Sequence, residues 1–405
     1  MQGAASEEER AQDRDGPLSL AGTTGRKWRR TRQLGLAIFG LVGVVGFAWY
    51  RGYLGDYPHD AAPAVDALAG GDFWGALTVE RQPLMGPFSI ILRAPFVAVA
   101  QSFGAGDLVS YRVGAAPCLA AAGLLGAALV RWFPSSAPLL ALGLLAVLLA
   151  PATADALELG HPEEPLAAAL SVGAVAAGMR GRRVSAAVLL GLALATKQWA
   201  VLAVGPTLLA VGRPYWWRVT TTACGIAALL TLPNVLANHQ GFATVSRQIA
   251  SAPVQAQFGS WWYVVDRDLP AWLAQATHPA IVLSAIPLTV LAYRHRIGAD
   301  GALLLLALLF FIRCVFDPVN NYYYHLPLLL ALLTWEMQMR RLVPYATLAV
   351  VASLFITNSY LAFADWGLYT ASVFYFVWTV GLAAYLVVAL RRLAGSARAA
   401  PEMSR

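Results

Sequence analysis

The sequence predicts an all-α integral membrane protein, folded as one bundle of about 12 to 13 transmembrane segments. Its 405 residues are 58% hydrophobic and only 13% charged, and the mean hydropathy is +0.59. Soluble domains carry about 25% charged residues, so this composition excludes a soluble fold. The net charge of +7 comes largely from arginines that flank apolar segments. Such arginines report orientation in a membrane, and they predict no nucleic-acid partner.

The chain divides into one membrane domain and two tails. Residues 1–32 are predicted to be a disordered, basic, cytoplasmic tail, because they are polar and end in a run of lysine and arginine. Residues 33–392 are predicted to form a single transmembrane domain, whose first span is an uncleaved anchor. Residues 393–405 form the second tail, which Arg391 and Arg392 place in the cytoplasm as well. We therefore expect a multi-pass protein of the cell membrane with both termini cytoplasmic.

Apolar segments follow one another through the membrane domain. They lie at residues 34–50, 84–102, 108–131, 136–153, 163–179, 184–196, 199–211, 219–236, 279–293, 301–316, 324–338, 342–361 and 369–390. The charges of their flanks predict that two polar loops, 51–83 and 237–278, lie outside the cytoplasm. Two cytoplasmic termini require an even number of crossings, so one segment cannot fully cross. The stretch 84–102, interrupted by arginine and proline, is the candidate for a partial span.

The stretch from Val184 to Val211 is too long for one membrane helix and too short for two. A span needs roughly 20 apolar residues and a hairpin about 40. Arginines on both sides predict that both ends are cytoplasmic, so the chain must turn back near Lys197. Two half-helices would leave this lysine below the outer surface, as a candidate ligand for an anion. The alternative is one tilted helix whose lysine snorkels to the interface.

No cofactor is predicted. The three cysteines, Cys118, Cys224 and Cys314, lie in or beside apolar segments, and we interpret them as small core residues. No glycine-rich phosphate loop, nucleophile elbow or zinc spacing occurs in the sequence. A divalent metal is not indicated, although loop aspartates are suitable ligands for one.

The first outer loop concentrates acidic and aromatic residues beside the membrane. It contains Asp56, His59 and Asp60, followed by Asp66 and Asp72. A carboxylate held just outside the first span can serve as a general base on an acceptor hydroxyl or bind a metal. The alternative is a solvated acidic loop without chemistry.

This loop resembles the first extracytoplasmic loop of the GT-C glycosyltransferases, multi-span enzymes that use polyprenyl-phosphate sugars and include mannosyl- and arabinosyltransferase-like families of actinobacteria. Those enzymes have an aspartate after the first helix, an alanine-rich amphipathic helix, a glycine with an aromatic residue, and a proline-leucine entry into the next helix. Asp56, the run to Leu68, residues 70–74 and the pair Pro83-Leu84 follow in that order. The resemblance implies a GT-C-like bundle with Asp56 as the catalytic base. Asp60, at a position that is often tyrosine in these families, is the other candidate.

The resemblance continues at His161, Glu163 and Glu164, which lie between two apolar segments. Related transferases have a short glycine-polar motif here, followed by a span, a basic loop and a second span that ends in a lysine. Lys197 occupies the position of that lysine. The resemblance therefore implies that these residues bind substrate. Two glutamates at the start of a helix are also explained by the helix dipole and an ordinary interfacial turn.

A third polar group lies between two later apolar segments. It contains Arg313, Asp317, Asn321, Tyr322, Tyr323 and His325. Guanidinium groups bind phosphate oxygens, and aromatic faces bind the C–H surface of a sugar. An interfacial aromatic belt would explain the tyrosines, but it would not explain an arginine within an apolar run. We therefore expect a phosphate and sugar site here.

The second outer loop carries an aromatic cluster and a D-x-D sequence. The cluster Trp261-Trp262-Tyr263 is predicted to belong to an amphipathic helix on the bilayer surface, which can also line an acceptor groove. Asp266 and Asp268 have the spacing of a metal-binding pair, but the arginine between them dilutes its charge. This spacing is also common by chance.

Together these features predict a glycosyltransferase that moves a sugar of the mannose or arabinose type from a polyprenyl-phosphate donor to a lipid or glycan acceptor, at the extracytoplasmic membrane face. Asp56 or Asp60 would take the acceptor proton, and cationic side chains would hold the phosphate. The predicted substrate-binding residues are Lys197, Arg313, Arg81, His161, Glu163, Glu164, Asp317, Asn321, Tyr322, Tyr323 and His325. The expected partners are the donor, the acceptor and membrane lipids.

Two other classes of function also fit parts of the sequence. A secondary transporter or lipid flippase would explain a broken helical hairpin with a buried lysine, because discontinuous helices form substrate sites in transporters. The absence of internal repeats and the concentration of polar residues in outer loops argue against it. A non-catalytic subunit of an envelope-assembly complex would leave the polar residues without a chemical role.

Overall fold

The computed structural model describes residue 46 and residues 49–80, 83, 85–132, 151–339, 343–361 and 367–399. The predicted tail 1–32, residues 400–405 of the predicted tail 393–405, most of the first apolar segment, most of the segment 136–153 and Arg81 lie outside these residues. Residues 393–399 belong to the last helix, Gly367–Ala399, so the predicted second tail begins within a helix.

The described residues are helical and contain no β-strand, and one isolated antiparallel bridge joins Gln255 to Asp268. The helices are α1 (Tyr57–Asp60), α2 (Ala62–Ala69), α3 (Phe73–Thr78), α4 (Pro87–Ser102), α5 (Asp107–Trp132), α6 (Pro151–Glu158), α7 (Glu163–Met179), α8 (Arg183–Leu194), α9 (Val204–Val211), α10 (Trp216–Ala237), α11 (His239–Ala250), α12 (Trp261–Val265), α13 (Ala271–Arg294), α14 (Ala299–Phe316), α15 (Leu326–Gln338), α16 (Tyr345–Phe355) and α17 (Gly367–Ala399). Short 3₁₀ helices cover Gln198–Ala203, Arg213–Tyr215 and Tyr322–His325, and a π-helical turn covers Ile356–Leu361.

Five helical stretches in the described part are long and apolar enough to cross a membrane. They are Asp107–Leu125, Arg213–Ala237, Ala271–Arg294, Ala299–Phe316 and Gly367–Gly395. The all-α membrane class is therefore supported, whereas the full number of 12 to 13 segments stays a prediction. Helix α4 has 16 residues with Pro95 inside it, which gives about 24 Å of helix against a hydrocarbon core of about 30 Å. Its length fits the partial span predicted for this stretch.

The core of the bundle consists of α7, α14 and α15, which are buried on nearly all sides. The alanines and glycines of α7 let neighbouring helices approach from every direction, as expected for a central helix. The outer helices instead expose large apolar side chains such as Leu229, Leu236, Leu283 and Val377. An apolar exterior of this extent is typical of a surface that faces lipid. Cys118 and Cys314 lie in the core, but Cys224 is exposed, so the core interpretation is wrong for Cys224.

The predicted break at Lys197 is present. Helix α8 ends at Leu194, Lys197 has extended backbone, and a 3₁₀ helix leads into α9. The interpretation as one tilted helix is therefore wrong. The carbonyls of Ala195 and Thr196 accept hydrogen bonds from the backbone N–H groups of Phe88 and Gly86, at 3.0 and 2.8 Å. The start of α4 thus satisfies carbonyls that the break sets free.

The second outer loop differs from its prediction in two ways. Helix α13 begins at Ala271, before the predicted start of the span, so part of the predicted loop is helix. The aromatic cluster also packs against the bundle rather than lying on the bilayer alone. The indole N–H of Trp261 donates to the Thr379 hydroxyl at 2.8 Å, and that of Trp262 donates to the Phe316 carbonyl at 2.7 Å. Hydrogen bonds to α14 and α17 therefore fix this aromatic segment against the bundle.

Replacing Gly86 with alanine should destabilise the protein, because a Cβ at this position would collide with the Ala195 carbonyl oxygen. Overpacking against fixed backbone costs about 1–3 kcal/mol. Gly106→Ala is the matched control, because nothing lies within 4 Å of its added Cβ. Thermal unfolding in detergent should show a lower Tm for Gly86→Ala than for Gly106→Ala, and equal values would contradict the close approach of α4 to the break.

Candidate functional site

Two glycines bring the first outer loop against the turn before α7. Gly55 and Gly160 both have positive φ, at 49° and 86°, and a Cβ on either would collide with backbone of the other segment. The N–H of Asp56 donates to the carbonyl of Leu159 at 2.9 Å. Only glycine allows this approach with such dihedrals, so the pair fixes Asp56 beside His161.

A chain of charged groups runs inward from Asp56. Its Oδ2 lies 3.6 Å from Nε2 of His161, and Nδ1 of His161 lies 3.0 Å from Oε1 of Glu163. The Asp56 carboxylate is 64% exposed, whereas the Glu163 side chain is fully buried. Burial disfavours the charged imidazolium, but the Glu163 carboxylate outweighs this effect and raises the pKa of His161. A buried carboxylate therefore orients an imidazole toward an accessible one, which is an arrangement suited to proton transfer.

Asp60 is buried and belongs to the same group. One ligand atom from each of Asp56, Asp60 and His161 lies within 4.8 Å of the other two. Two carboxylates and an imidazole at this spacing form a donor set that can hold a divalent cation. Asp266 and Asp268 form a local turn instead, in which the Asp268 N–H donates to Oδ1 of Asp266 at 3.1 Å.

Lys197 is neutralised by two glutamates. Its Nζ lies 3.1 Å from Glu163 and 3.3 Å from Glu164, and all three side chains are buried. Nε1 of Trp199 donates to the second oxygen of Glu164 at 3.1 Å. The sequence predicted a lysine free to bind an anion, but here both carboxylates already compensate its charge. The physical reason is burial, because a lone ammonium without a counter-ion would be too costly in the interior.

Arg313 forms no ion pair with a carboxylate among the residues that the structure describes. Its guanidinium lies over the rings of Tyr324 and Trp199, 3.9 and 5.1 Å from their centroids. The side chain is buried, and Nη1 has no hydrogen-bond partner among the described residues. A buried guanidinium nitrogen that lacks a hydrogen-bond partner is costly unless a ligand supplies one.

A cavity of about 460 Å³ lies against this arginine. Arg313, Trp199, Tyr324, Gln198 and Asp317 supply its polar and aromatic wall, and aliphatic residues of α13 close the other side. The lining is thus apolar apart from a few polar groups at one end. Such a cavity fits a ligand with a charged group attached to an apolar chain.

His278 of α13 also lines this cavity, although no sequence motif marks it as functional. Its Nδ1 lies 2.8 Å from the Ile249 carbonyl, and its Nε2 lies 3.2 Å from Oδ1 of Asp317. The N–H of Val319 donates to the same Asp317 oxygen at 3.0 Å. Asp317, which lines the cavity, therefore accepts a hydrogen bond from the Val319 N–H and, when His278 is protonated, a second one from its Nε2.

The short helix Tyr322–His325, called the tyrosine segment below, connects the charged group around His161 with the cavity at Arg313. The Tyr323 ring packs against His161 at 5.2 Å and against Tyr324 at 5.0 Å between centroids, and Tyr324 in turn covers Arg313. Nδ2 of Asn321 donates to the Tyr323 hydroxyl at 3.0 Å. The Tyr323 N–H donates to Asp155, and burial raises the pKa of Asp155 to about 6.

His325 points away from this group. Its Nε2 lies 2.9 Å from the Tyr375 hydroxyl on α17, and the side chain is buried. The Tyr322 hydroxyl is buried without a partner in the described part of the chain. The structure therefore brings Tyr323 and Asn321 to the site, while His325 serves the packing between α17 and the tyrosine segment.

Sequence reasoning missed another buried cation, Arg93 of α4. Its guanidinium packs on the rings of Tyr57 and Tyr111, 4.7 and 5.7 Å from their centroids, and Nη1 contacts the Met85 sulfur at 3.9 Å. It also acts electrostatically on Glu163. The signal that could have found it is an arginine inside a short apolar segment.

Neither known protein families nor curated proteins match this chain.

Replacing Lys197 with methionine should lower the free energy of unfolding by about 3–5 kcal/mol, because it leaves buried carboxylates without a counter-ion. The double variant Lys197→Met/Glu163→Gln should recover part of this loss. Thermal unfolding in detergent measures both.

The control is Arg51→Met, which breaks the 3.1 Å ion pair of Arg51 with Glu158 at the surface. Exposed pairs contribute about 0–1 kcal/mol. If Lys197→Met were as mild as Arg51→Met, the buried ion cluster would not stabilise the fold as described.

Proposed function

We propose that this protein is a glycosyltransferase of the cell membrane, which transfers a sugar from a polyprenyl-phosphate donor to a lipid or glycan acceptor at the extracytoplasmic face. The observation that carries the proposal is buried Arg313, whose Nη1 has no partner among the described residues and whose side chain lines a cavity of about 460 Å³ with largely apolar walls. A phosphate joined to a long hydrocarbon chain combines the two properties that this cavity selects. A sugar nucleotide would need polar surroundings for its base and ribose.

In this proposal the donor phosphate binds Arg313, and its hydrocarbon chain lies along α13. The sugar lies along Tyr324 and Tyr323, whose rings meet edge to face and lead from Arg313 to His161. Aromatic faces suit the C–H surfaces of a sugar. Asp317, held by His278 and the Val319 N–H, is available to accept a sugar hydroxyl.

The acceptor enters from the side of Asp56, the exposed end of the charged chain. Asp56 takes the proton of the acceptor hydroxyl, and the resulting oxygen bonds to the anomeric carbon of the sugar. The bond between that carbon and the phosphate oxygen breaks, and its electron pair leaves with the lipid phosphate. Arg313 stabilises the growing negative charge of the leaving group. Asp60 or a bound divalent cation would act on the same acceptor oxygen.

Lys197 has a different role from the one that its position in the sequence suggests. With Glu163 and Glu164 as partners, it sets the charge around His161 and Trp199 rather than holding the phosphate. The cytoplasmic termini and the full set of 12 to 13 spans belong to the same proposal, because they put the first outer loop on the face where lipid-linked sugars are used.

Asp56→Asn should reduce transfer roughly 10²–10⁴-fold, the usual contribution of a general base. Membranes that contain the variant are supplied with labelled polyprenyl-phosphate sugars, and the labelled product is counted. Asp66→Asn is the matched control, because Asp66 lies on the same loop and pairs only with Gln101 among the described residues, at 2.9 Å.

Asp60→Asn is measured in parallel to decide between the two aspartates. If both Asp56→Asn and Asp60→Asn transferred sugar as well as Asp66→Asn, the proposed base would be wrong. Substrate counterflow in proteoliposomes without any glycosidic product would instead indicate a transporter.

A further inference from the structure

A second polar pocket lies at the other end of α13 from His278. It has a volume of about 500 Å³ and is lined by Arg213, Arg294 and Arg296 together with Trp216 and Tyr293. Sixteen residues separate His278 from Arg294, which corresponds to about 24 Å along the helix. The basic pocket therefore lies at the far end of α13 from the candidate active site.

The three arginines carry uncompensated charge. All three are exposed, and none forms an ion pair with a carboxylate in the part of the chain that the structure describes. Arg296 also has a φ of 58°, a left-handed conformation that favours glycine at the end of a helix. The turn that ends α13 thus has an arginine in an unfavourable backbone conformation, and Arg213 and Arg294 line the same pocket.

An apolar cavity adjoins this basic pocket. It has a volume of about 530 Å³ and lies between α9 and α13, with Val204, Leu208, Ile286 and Val290 in its walls. The two cavities share Arg213, Trp216 and Tyr293, so they form one cleft with a basic end and an apolar body. The rings of Trp216 and Tyr293 meet edge to face at 5.3 Å where the two parts join.

Each part of the cleft restricts the ligand. Three arginines without counter-ions favour an anionic group with several oxygens, such as a phosphate diester. The apolar body lies between helices whose outer faces expose Ile286 and Leu283, and a hydrocarbon chain fits it better than water does. Tryptophan and tyrosine at the junction are typical of the boundary between headgroups and hydrocarbon.

We propose that this cleft binds one anionic phospholipid, with its phosphate on Arg213, Arg294 and Arg296 and an acyl chain between α9 and α13. The site does not rest on the proposed glycosyl transfer. It ties α13, which also supplies His278 to the candidate active site, to the start of α10 through a shared lipid.

The test uses full-length protein that has been purified in detergent and stripped of lipid. Native mass spectrometry measures retention of phosphatidylglycerol and of phosphatidylcholine with the same acyl chains. The expected result is selective retention of phosphatidylglycerol, reduced roughly tenfold or more in Arg294→Gln/Arg296→Gln. The control is Arg391→Gln/Arg392→Gln, which removes the same charge from exposed positions of α17.

A second pair of variants tests the apolar body. Ile286→Trp fills the cavity and should reduce retention of phosphatidylglycerol, whereas Leu229→Trp on the outer face of α10 should not. Glycerol phosphate at millimolar concentration should not displace the lipid, because it lacks the chain.

Equal retention of the two lipids, equal losses in the two arginine pairs, or displacement by glycerol phosphate would each overturn the proposal. Unchanged retention in Ile286→Trp would do so as well. The variants change exposed residues, and unaltered thermal unfolding checks that each is folded.

Discussion

The buried ion cluster of Lys197 with Glu163 and Glu164 is the interaction on which the rest of the site depends. Burying one ion costs several kcal/mol, and these three are stable in the interior only because they meet at 3.1 and 3.3 Å. The cluster joins the start of α7 to the break between α8 and α9. The glutamates also contact residues in different directions. Oε1 of Glu163 contacts His161 as well as Lys197, whereas the second oxygen of Glu164 accepts from Trp199.

The candidate site therefore has two parts, one on the His161 side of the cluster and one on the Trp199 side. Through His161 the cluster reaches Asp56, the exposed carboxylate, and through Trp199 it reaches the cavity beside Arg313. Both glutamates contact Lys197, and Arg313 forms no ion pair with a carboxylate among the described residues. Arg93 also has nitrogens without a partner there, but Arg313 is the one that lines the cavity. The proposed chemistry follows from this division, with proton transfer on one side and charge stabilisation on the other.

The sequence allowed some of this to be predicted. The break at Lys197 followed from the length of its apolar stretch and the arginines on both sides, and an arginine within an apolar run marked Arg313. Other contacts had no local signal. His278 reaches the cavity because α13 starts before its apolar stretch does, and the pairing of Lys197 with two glutamates requires the tertiary packing of α7 against the break. The sequence did not mark Arg93 as functional, because an arginine within the stretch 84–102 is equally explained by a partial span.

The central claim is that a lipid phosphate binds Arg313 while Lys197 stays paired with its glutamates. A cryo-electron microscopy structure of the protein with a polyprenyl-phosphate in excess tests this most directly. The account predicts density for the phosphate within hydrogen-bond distance of Nη1 of Arg313, with the hydrocarbon chain along α13 and the Lys197 pairs intact. Phosphate density on Lys197 with its glutamates displaced, or no lipid density in the cavity under saturating conditions, would contradict it.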